Sequence, residues 1–107
     1  MRSSYALHPE TENDIDEIWE FIATDSPDNA DAVREALYNM FEMLASEPGM
    51  GHYRFDLTKK RQMRFMLVHN YLIAYSSDEK PLWILAVLYG GRSPKRLSRV
   101  LQGRDRP

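Results

Sequence analysis

The first half of the chain carries apolar residues at the spacing of two amphipathic helices. Ile15, Ile18, Trp19 and Ile22 fall at positions i, i+3, i+4 and i+7, and a second helical series comprises Ala30, Val33, Leu37, Met40, Phe41 and Leu44. Pro9 favours the start of the first helix, Ser26-Pro27 marks the start of the second, and Glu47-Pro48-Gly49 ends it. Because the connection is short, we predict an antiparallel helical hairpin.

The second half alternates strand-forming and turn-forming segments. Residues 63–68, 71–75 and 82–89 are rich in β-branched, aromatic and other apolar residues, with turn signals between them. They predict an antiparallel meander, to which we add a short strand at 5–7 and a short basic helix at 94–102. The predicted fold is therefore α+β, in the order β-α-α-β-β-β, with the helical hairpin packed on an antiparallel sheet and a short C-terminal helix.

Length and composition limit the class of protein. A chain of 107 residues, 43% hydrophobic, fits one domain over residues 1–107, and we expect residues 103–107 to form a loose tail. No apolar run is long enough to span a membrane, and the first residues lack the apolar stretch of a signal peptide. The absence of cysteine excludes disulfides, thiol nucleophiles and cysteine-ligated zinc. We therefore expect a cytoplasmic protein.

The net charge of −2 conceals a strong asymmetry between the two halves. Residues 1–51 carry two basic and twelve acidic groups, a balance of −10, whereas residues 52–107 carry twelve basic and four acidic groups, a balance of +8. The basic half suits an acidic partner. The alternative is that the two halves neutralise each other in the folded chain, and charge alone leaves both interpretations open.

Four segments together resemble a known family. The chain opens with YALHPETENDIDEIWEFIATDSPDNADAV, which resembles a strand, a Pro-started acidic helix and an Ile-Trp pair of that family. It continues with LASEPGMG, similar to the family's helix end and loop, then MRFMLVHNYLIAYS, similar to its central hairpin, and WILAVLYGGRSP, similar to its last strand with Gly and Arg. Over residues 5–97 the chain thus resembles the ParE/RelE toxin superfamily, and within it the ParE branch.

The resemblance implies a toxin of a toxin–antitoxin system, held silent by the flexible C-terminal segment of a cognate antitoxin. In the ParE branch the target is typically DNA gyrase, and trapping it damages the chromosome. In the RelE branch the toxin cuts mRNA in the ribosome. Two positions depart from the usual pattern: His8 stands where a capping Ser is common, and Tyr89 stands where a His usually precedes the Gly.

Cleavage of RNA requires a base, an acid and cations on the phosphate. By resemblance, Arg64 and Arg92 fill two of the family's cationic positions. Met66, two residues beyond Arg64 on the same face of the strand, is neutral, and Leu72 stands where the family has an arginine. Residues 93–107 hold no Tyr or His to act as the C-terminal acid or base. We therefore expect no catalysis. If the chain is an endoribonuclease, Arg64, Tyr89 and Arg92 are the candidates, and Tyr89 is the open question.

Two groups of residues are candidates for partner binding. Phe21, Tyr38 and Met43 lie off the main apolar stripes and suit an antitoxin helix if they are exposed together. The basic cluster around the last helix suits an acidic antitoxin or target segment and comprises Arg92, Lys95, Arg96 and Arg99. We interpret a second basic run at 54–61 as a mobile loop. The scattered histidines suggest no metal site, and we expect no cofactor and no direct binding of nucleic acid.

Three hypotheses follow from these features. The first is a non-catalytic gyrase inhibitor neutralised by an antitoxin, and the second is a ribosome-dependent mRNA endonuclease. The third is a degenerate relative that binds its antitoxin and is not toxic. Expression of the chain without an antitoxin separates the three.

Overall fold

The structure, a computed structural model, describes residues 5–104. Seven regular elements follow the predicted order, and a 3₁₀ turn at Pro48–Met50 comes after the second helix. The elements are β1 (Tyr5–Leu7), α1 (Thr11–Ala23), α2 (Pro27–Ser46), β2 (Met63–Val68), β3 (Tyr71–Ser76), β4 (Leu82–Tyr89) and α3 (Pro94–Gln102). The predicted α+β class and the helical hairpin are confirmed.

The four strands form one sheet in the order β1-β4-β3-β2. The meander β2-β3-β4 is antiparallel as predicted, but β1 pairs parallel with β4, so the sheet is mixed rather than antiparallel throughout. The reason lies in the connection. The helical hairpin carries the chain back to the end of the sheet at which β1 begins. β2 therefore starts at that end and runs in the direction of β1, and β4 resumes this direction after the turns that follow β2 and β3.

Local side-chain bonds explain where the helices begin. Ser26 Oγ accepts a hydrogen bond from the Asn29 amide at the start of α2, and Ser93 Oγ accepts one from the Arg96 amide at the start of α3. Before α1, the buried His8 accepts a hydrogen bond at Nδ1 from the Glu10 amide (3.0 Å). His8 therefore supplies the acceptor that a serine often provides, and α1 begins at Thr11 rather than at Pro9.

Each face of the sheet covers its own apolar core. The helical hairpin packs on one face, where Phe41 and Leu37 of α2 meet Ile73, Tyr75 and Ile84 of the sheet. On the other face, α3 and the segment between α2 and β2 cover a second cluster of buried residues, which includes Leu57, Phe65, Leu72, Leu85, Leu88, Leu97 and Leu101. The sheet is thus a middle layer, with an acidic hairpin on one side and a basic helix on the other.

Arg104 is fixed against the edge of the sheet. Arg104 makes a bidentate ion pair with Asp14 of α1 (2.7 and 2.9 Å), and both side chains are only about one-eighth exposed. The same guanidinium donates to the Leu85 carbonyl, and Asp14 accepts from the Val87 amide. Arg104, within the segment expected to be loose, is therefore bound to the sheet edge and to α1, and Asp14 is a buried partner rather than a solvated one. Residues 105–107 of the expected tail lie outside the described residues.

Candidate functional site

A cleft of about 620 Å³ lies between α1 and the end of β4. β1 pairs with β4 only from Leu82 to Ile84, so within the described chain the rest of this strand edge has no strand beside it. The side chains of α1 and the turns that follow β2 and β4 close the cleft instead. Its lining comprises Asp14, Glu17, Ile18, Phe21, Asn70, Tyr71, Val87, Leu88, Tyr89 and Arg92.

Aromatic rings form much of the cleft wall. Phe21 is 77% exposed and Tyr89 is 47% exposed, so the cleft displays aromatic surface to solvent. Tyr89 packs edge-on against Tyr71, with ring centroids 6.2 Å apart. The Tyr89 ring also folds back over Gly91, where a β-carbon would come within 2.6 Å of it. Glycine at this position therefore lets the ring lie along the cleft.

The charges of the cleft are arranged at its rim. Arg92 is exposed and its amide donates to the Tyr89 carbonyl, which holds the turn after β4. Asp14 is already engaged by Arg104, so Glu17 is the acidic group of the lining that faces solvent. Burial, followed by the nearby Tyr89, raises the pKa of Tyr71, so this phenol stays protonated at neutral pH. The cleft thus offers apolar walls, a hydrogen-bond donor and a cation at its edge.

The candidate catalytic residues are only partly brought together. Tyr89 and Arg92 share the cleft, but Arg64 lies at the other end of the sheet, with its Cα roughly 16 Å from that of Tyr89 by strand spacing and register. The Arg64 guanidinium donates to the Gly51 carbonyl and to Tyr53 Oη (3.1 Å each) and stacks 4.3 Å from the Tyr53 ring. It therefore orders the segment that precedes β2 and does not face the cleft.

The two neutral positions taken from the family comparison lie on opposite faces of the sheet. Met66 pairs with Ile73 on the hairpin face, whereas Leu72 pairs with Leu88 beneath α3. Leu72 is 5% exposed because α3 covers it. Arg64, which shares the face of Met66, and Leu72 consequently lie on opposite faces of the sheet.

The three apolar candidates for partner binding do not form one patch. Phe21 lies at the hairpin turn, whereas Met43 lies near the far end of α2, roughly 20 Å away along the helix axis. Tyr38 is half-buried and packs edge-on against Phe41. Among the three, Phe21 is the one that lines the cleft.

The basic candidates lie outside the cleft, apart from Arg92. Lys95, Arg96 and Arg99 are exposed on α3, which holds Leu97 and Leu101 against the sheet. Within residues 5–104 these three cations make no ion pair. The structure therefore presents them to solvent in the way that the sequence pattern predicts for an amphipathic helix.

Sequence reasoning missed the link that shapes the cleft. Asp14 and Arg104 are 90 residues apart, and neither residue type carries a signal for pairing at that distance. In the described part of the chain, no group of three or more histidine or acidic side chains is placed to hold a metal ion. Nor does any helix there combine the length and apolar character needed to cross a membrane.

Comparison with known proteins agrees with the architecture. No curated protein matches the chain. The family described as the ParE toxin of the type II toxin–antitoxin system, parDE, matches residues 5–94, which include every strand and both hairpin helices. This match covers most of the 107 residues, and the strand order and helical hairpin are compatible with that family's fold. The chain therefore belongs to the ParE toxin family, and its partner is an antitoxin.

Proposed function

We propose that this toxin inhibits DNA gyrase without catalysing a reaction, and that the cleft beside β4 receives a segment of its antitoxin. The observation that carries the proposal is the separation of Arg64 from Tyr89 and Arg92. An RNA-cutting site needs its cations, base and acid within hydrogen-bond reach of one phosphate. The described residues bring a phenol and one guanidinium to the cleft, and the second guanidinium is occupied elsewhere.

The covered sheet face supports the same conclusion. α3 places Leu97 and Leu101 over Leu72, so the face opposite the hairpin is packed with apolar side chains and is closed to a substrate. An inhibitor that acts by binding needs no such site. It needs a surface of fixed shape, and the two apolar cores stabilise the fold that carries this surface.

The cleft suits a flexible antitoxin segment because its walls and rim combine two kinds of contact. Phe21 and Tyr89 offer exposed aromatic surface to apolar anchors. Arg92 at the rim offers a cation to an acidic residue of the same segment. An extended or helical segment with apolar anchors and a carboxylate would therefore bury the rings and pair with the guanidinium.

One observation favours the endonuclease alternative. Tyr89 and Arg92 lie together in the cleft, and a phenol beside a guanidinium is a combination that RNA-cutting enzymes use for acid catalysis and phosphate binding. The Tyr89→Phe variant separates the two functions, since it removes the phenolic proton and keeps the ring. A gyrase inhibitor retains its toxicity in this variant, whereas an endonuclease that depends on Tyr89 loses it.

Inducible expression in bacteria, with nucleoid staining and mRNA mapping on the same culture, tests the proposal. We expect filamentation, an SOS response and intact mRNA. Cuts positioned within translated codons would establish the endonuclease instead. Normal growth at confirmed protein levels would mean that the chain is a degenerate, non-toxic relative. Co-expression with the cognate antitoxin is the control, and it should restore growth.

A further inference from the structure

The two basic runs of the second half become neighbours in the fold. Leu57, from the segment between α2 and β2, shares a buried cluster with Leu97 and Leu101 of α3. A small cavity lies between the same two segments and is lined by Leu57, Thr58, Lys60, Met63, Ser98, Leu101 and Gln102. The run at 54–61 is therefore packed along α3, and it is part of the same surface.

Lys95 and Arg99 of α3 point outward beside this segment, whereas Arg96 lies on the other flank of the helix. At 3.6 residues per turn, Lys95 and Arg99 lie on the side of α3 opposite Leu97, next to Ser98 and Gln102, which face the segment. We define the cationic face as the exposed side chains of Lys59, Arg61, Lys95, Arg96 and Arg99. Across residues 5–104, none of these five makes an ion pair with an acidic side chain.

The acidic groups of the molecule do not neutralise this face. The carboxylates of α1 and α2 lie on the far side of the sheet, where Arg34 is the one basic residue of the two helices. The acidic residue next to the cationic face, Asp56, is already held by Arg54 through two hydrogen bonds (2.8 and 2.9 Å). The charge asymmetry of the sequence is therefore displayed as two oppositely charged sides of one thin molecule.

We propose that the cationic face binds the phosphate backbone of double-stranded DNA. A surface of unpaired Lys and Arg side chains on a helix and an adjacent segment is the footprint of phosphate binding. Protein interfaces usually set such cations around exposed aromatic or aliphatic anchors that fill pockets on the partner. The five residues of this face contribute charge and no such anchor.

The neighbouring aromatic rings favour a duplex over a single strand. Proteins that bind single strands stack unpaired bases on free aromatic faces. Tyr53 and Phe55 are exposed beside the cationic face, but they stack on each other with centroids 5.3 Å apart. Arg64 covers the Tyr53 ring and Arg61 covers the Phe55 ring, so guanidinium groups occupy the outer faces. The rings therefore order the segment and leave no platform for a base.

The choice of DNA over other duplexes rests on the proposed function, since gyrase acts on DNA. An inhibitor that touches the DNA as well as the enzyme would gain affinity for the gyrase–DNA complex over either component. This inference departs from the expectation of no direct nucleic-acid binding. That expectation treated the two basic runs separately, and only the fold places them together.

Fluorescence anisotropy of a short labelled DNA duplex, titrated with the purified chain at several salt concentrations, tests the proposal. If all five cations contact phosphate, log Kobs should fall with log[salt] with a slope of about −4.5. The double variant K95Q/R99Q should flatten the slope by about 1.8 and weaken binding by about 60-fold at 0.1 M salt.

The matched control is A32E/N39E, which lowers the net charge by the same amount at two exposed positions of α2, on the acidic side. We expect it to bind DNA as the parent chain does, and urea unfolding of both variants should show that they remain folded. Salt-independent binding, equal losses in the two variants, tighter binding of single-stranded DNA or RNA, or a preference for an acidic peptide would each overturn the proposal.

The DNA-binding experiment can fail or succeed independently of the proposed inhibition of gyrase. A chain that inhibits gyrase but does not bind the duplex by itself would refute the DNA contact alone. A chain that binds the duplex but leaves gyrase active would refute the gyrase proposal and support the DNA contact.

Discussion

At the scale of single residues, Gly51 shows how closely the segment before β2 approaches the sheet. Its amide donates to Tyr75 Oη (2.9 Å), and Tyr75 donates in turn to the Pro48 carbonyl (2.6 Å). A β-carbon at Gly51 would lie 2.5 Å from Tyr75 Oη and 2.7 Å from the Phe65 carbonyl oxygen. The requirement for glycine is therefore one of space, because the backbone of Gly51 is extended.

We predict that Gly51→Ala destabilises the fold by about 1–3 kcal/mol, the usual cost of overpacking a buried site. Gly49→Ala is the matched control, since a β-carbon there meets nothing within 4 Å, and it should change stability by less than about 0.5 kcal/mol. Urea unfolding of the two variants measures the difference. Equal stabilities would show that Tyr75 and the sheet yield to the added methyl group.

At the scale of elements, the ion pair between Asp14 and Arg104 joins α1, the edge of β4 and the end of α3. It also supplies hydrogen bonds to the Leu85 carbonyl and the Val87 amide, which no neighbouring strand satisfies in the described chain. The pair thus protects a strand edge that would otherwise be open to pairing with another chain. The pair therefore also positions α1 beside the cleft.

We predict that Arg104→Gln destabilises the protein by about 3 kcal/mol, because it leaves the Asp14 carboxylate largely buried without its cation. Arg99→Gln removes the same charge from an exposed position and should cost less than about 0.5 kcal/mol. Urea titrations of both variants provide the comparison. If they unfold at the same urea concentration, the ion pair contributes nothing to stability.

Sequence patterns predicted the elements well and their long-range relations poorly. The helices and strands follow from apolar periodicity and from Ser-Pro caps, so the predicted bounds of β2, β4 and α3 agree with the structure. The parallel pairing of β1 and the contact between Asp14 and Arg104 depend on how distant segments meet. For the same reason the candidates Phe21, Tyr89 and Arg92 were identified one by one, and only the fold shows that they share a cleft.

At the scale of the whole molecule, the hairpin face buries three phenols that respond to alkaline pH. Burial is the leading cause that raises the pKa of Tyr38, Tyr71 and Tyr75 above the ordinary value of 10.0. In the unfolded chain these groups ionise near pH 10, whereas in the folded chain they ionise at higher pH. Their contribution to stability is therefore complete below pH 10 and is lost as the pH rises through the folded pKa values.

We predict that the free energy of unfolding falls above about pH 10 and that phenolate absorbance from the buried rings appears together with unfolding. Tyr75→Phe removes one of these groups and should make stability less dependent on pH in this range. Urea unfolding monitored by circular dichroism, with absorbance on the same samples, checks both points. Complete ionisation of the tyrosines in a fully folded chain would contradict the prediction.

We propose that the molecule acts by binding gyrase and not by cutting RNA. The most direct measurement is a supercoiling assay with purified gyrase, relaxed plasmid and the purified toxin, with and without its antitoxin. We expect that the toxin stops supercoiling, that the Tyr89→Phe variant does so equally, and that the antitoxin restores supercoiling. Undiminished supercoiling at an excess of folded toxin, together with cleavage of mRNA on ribosomes, would contradict it.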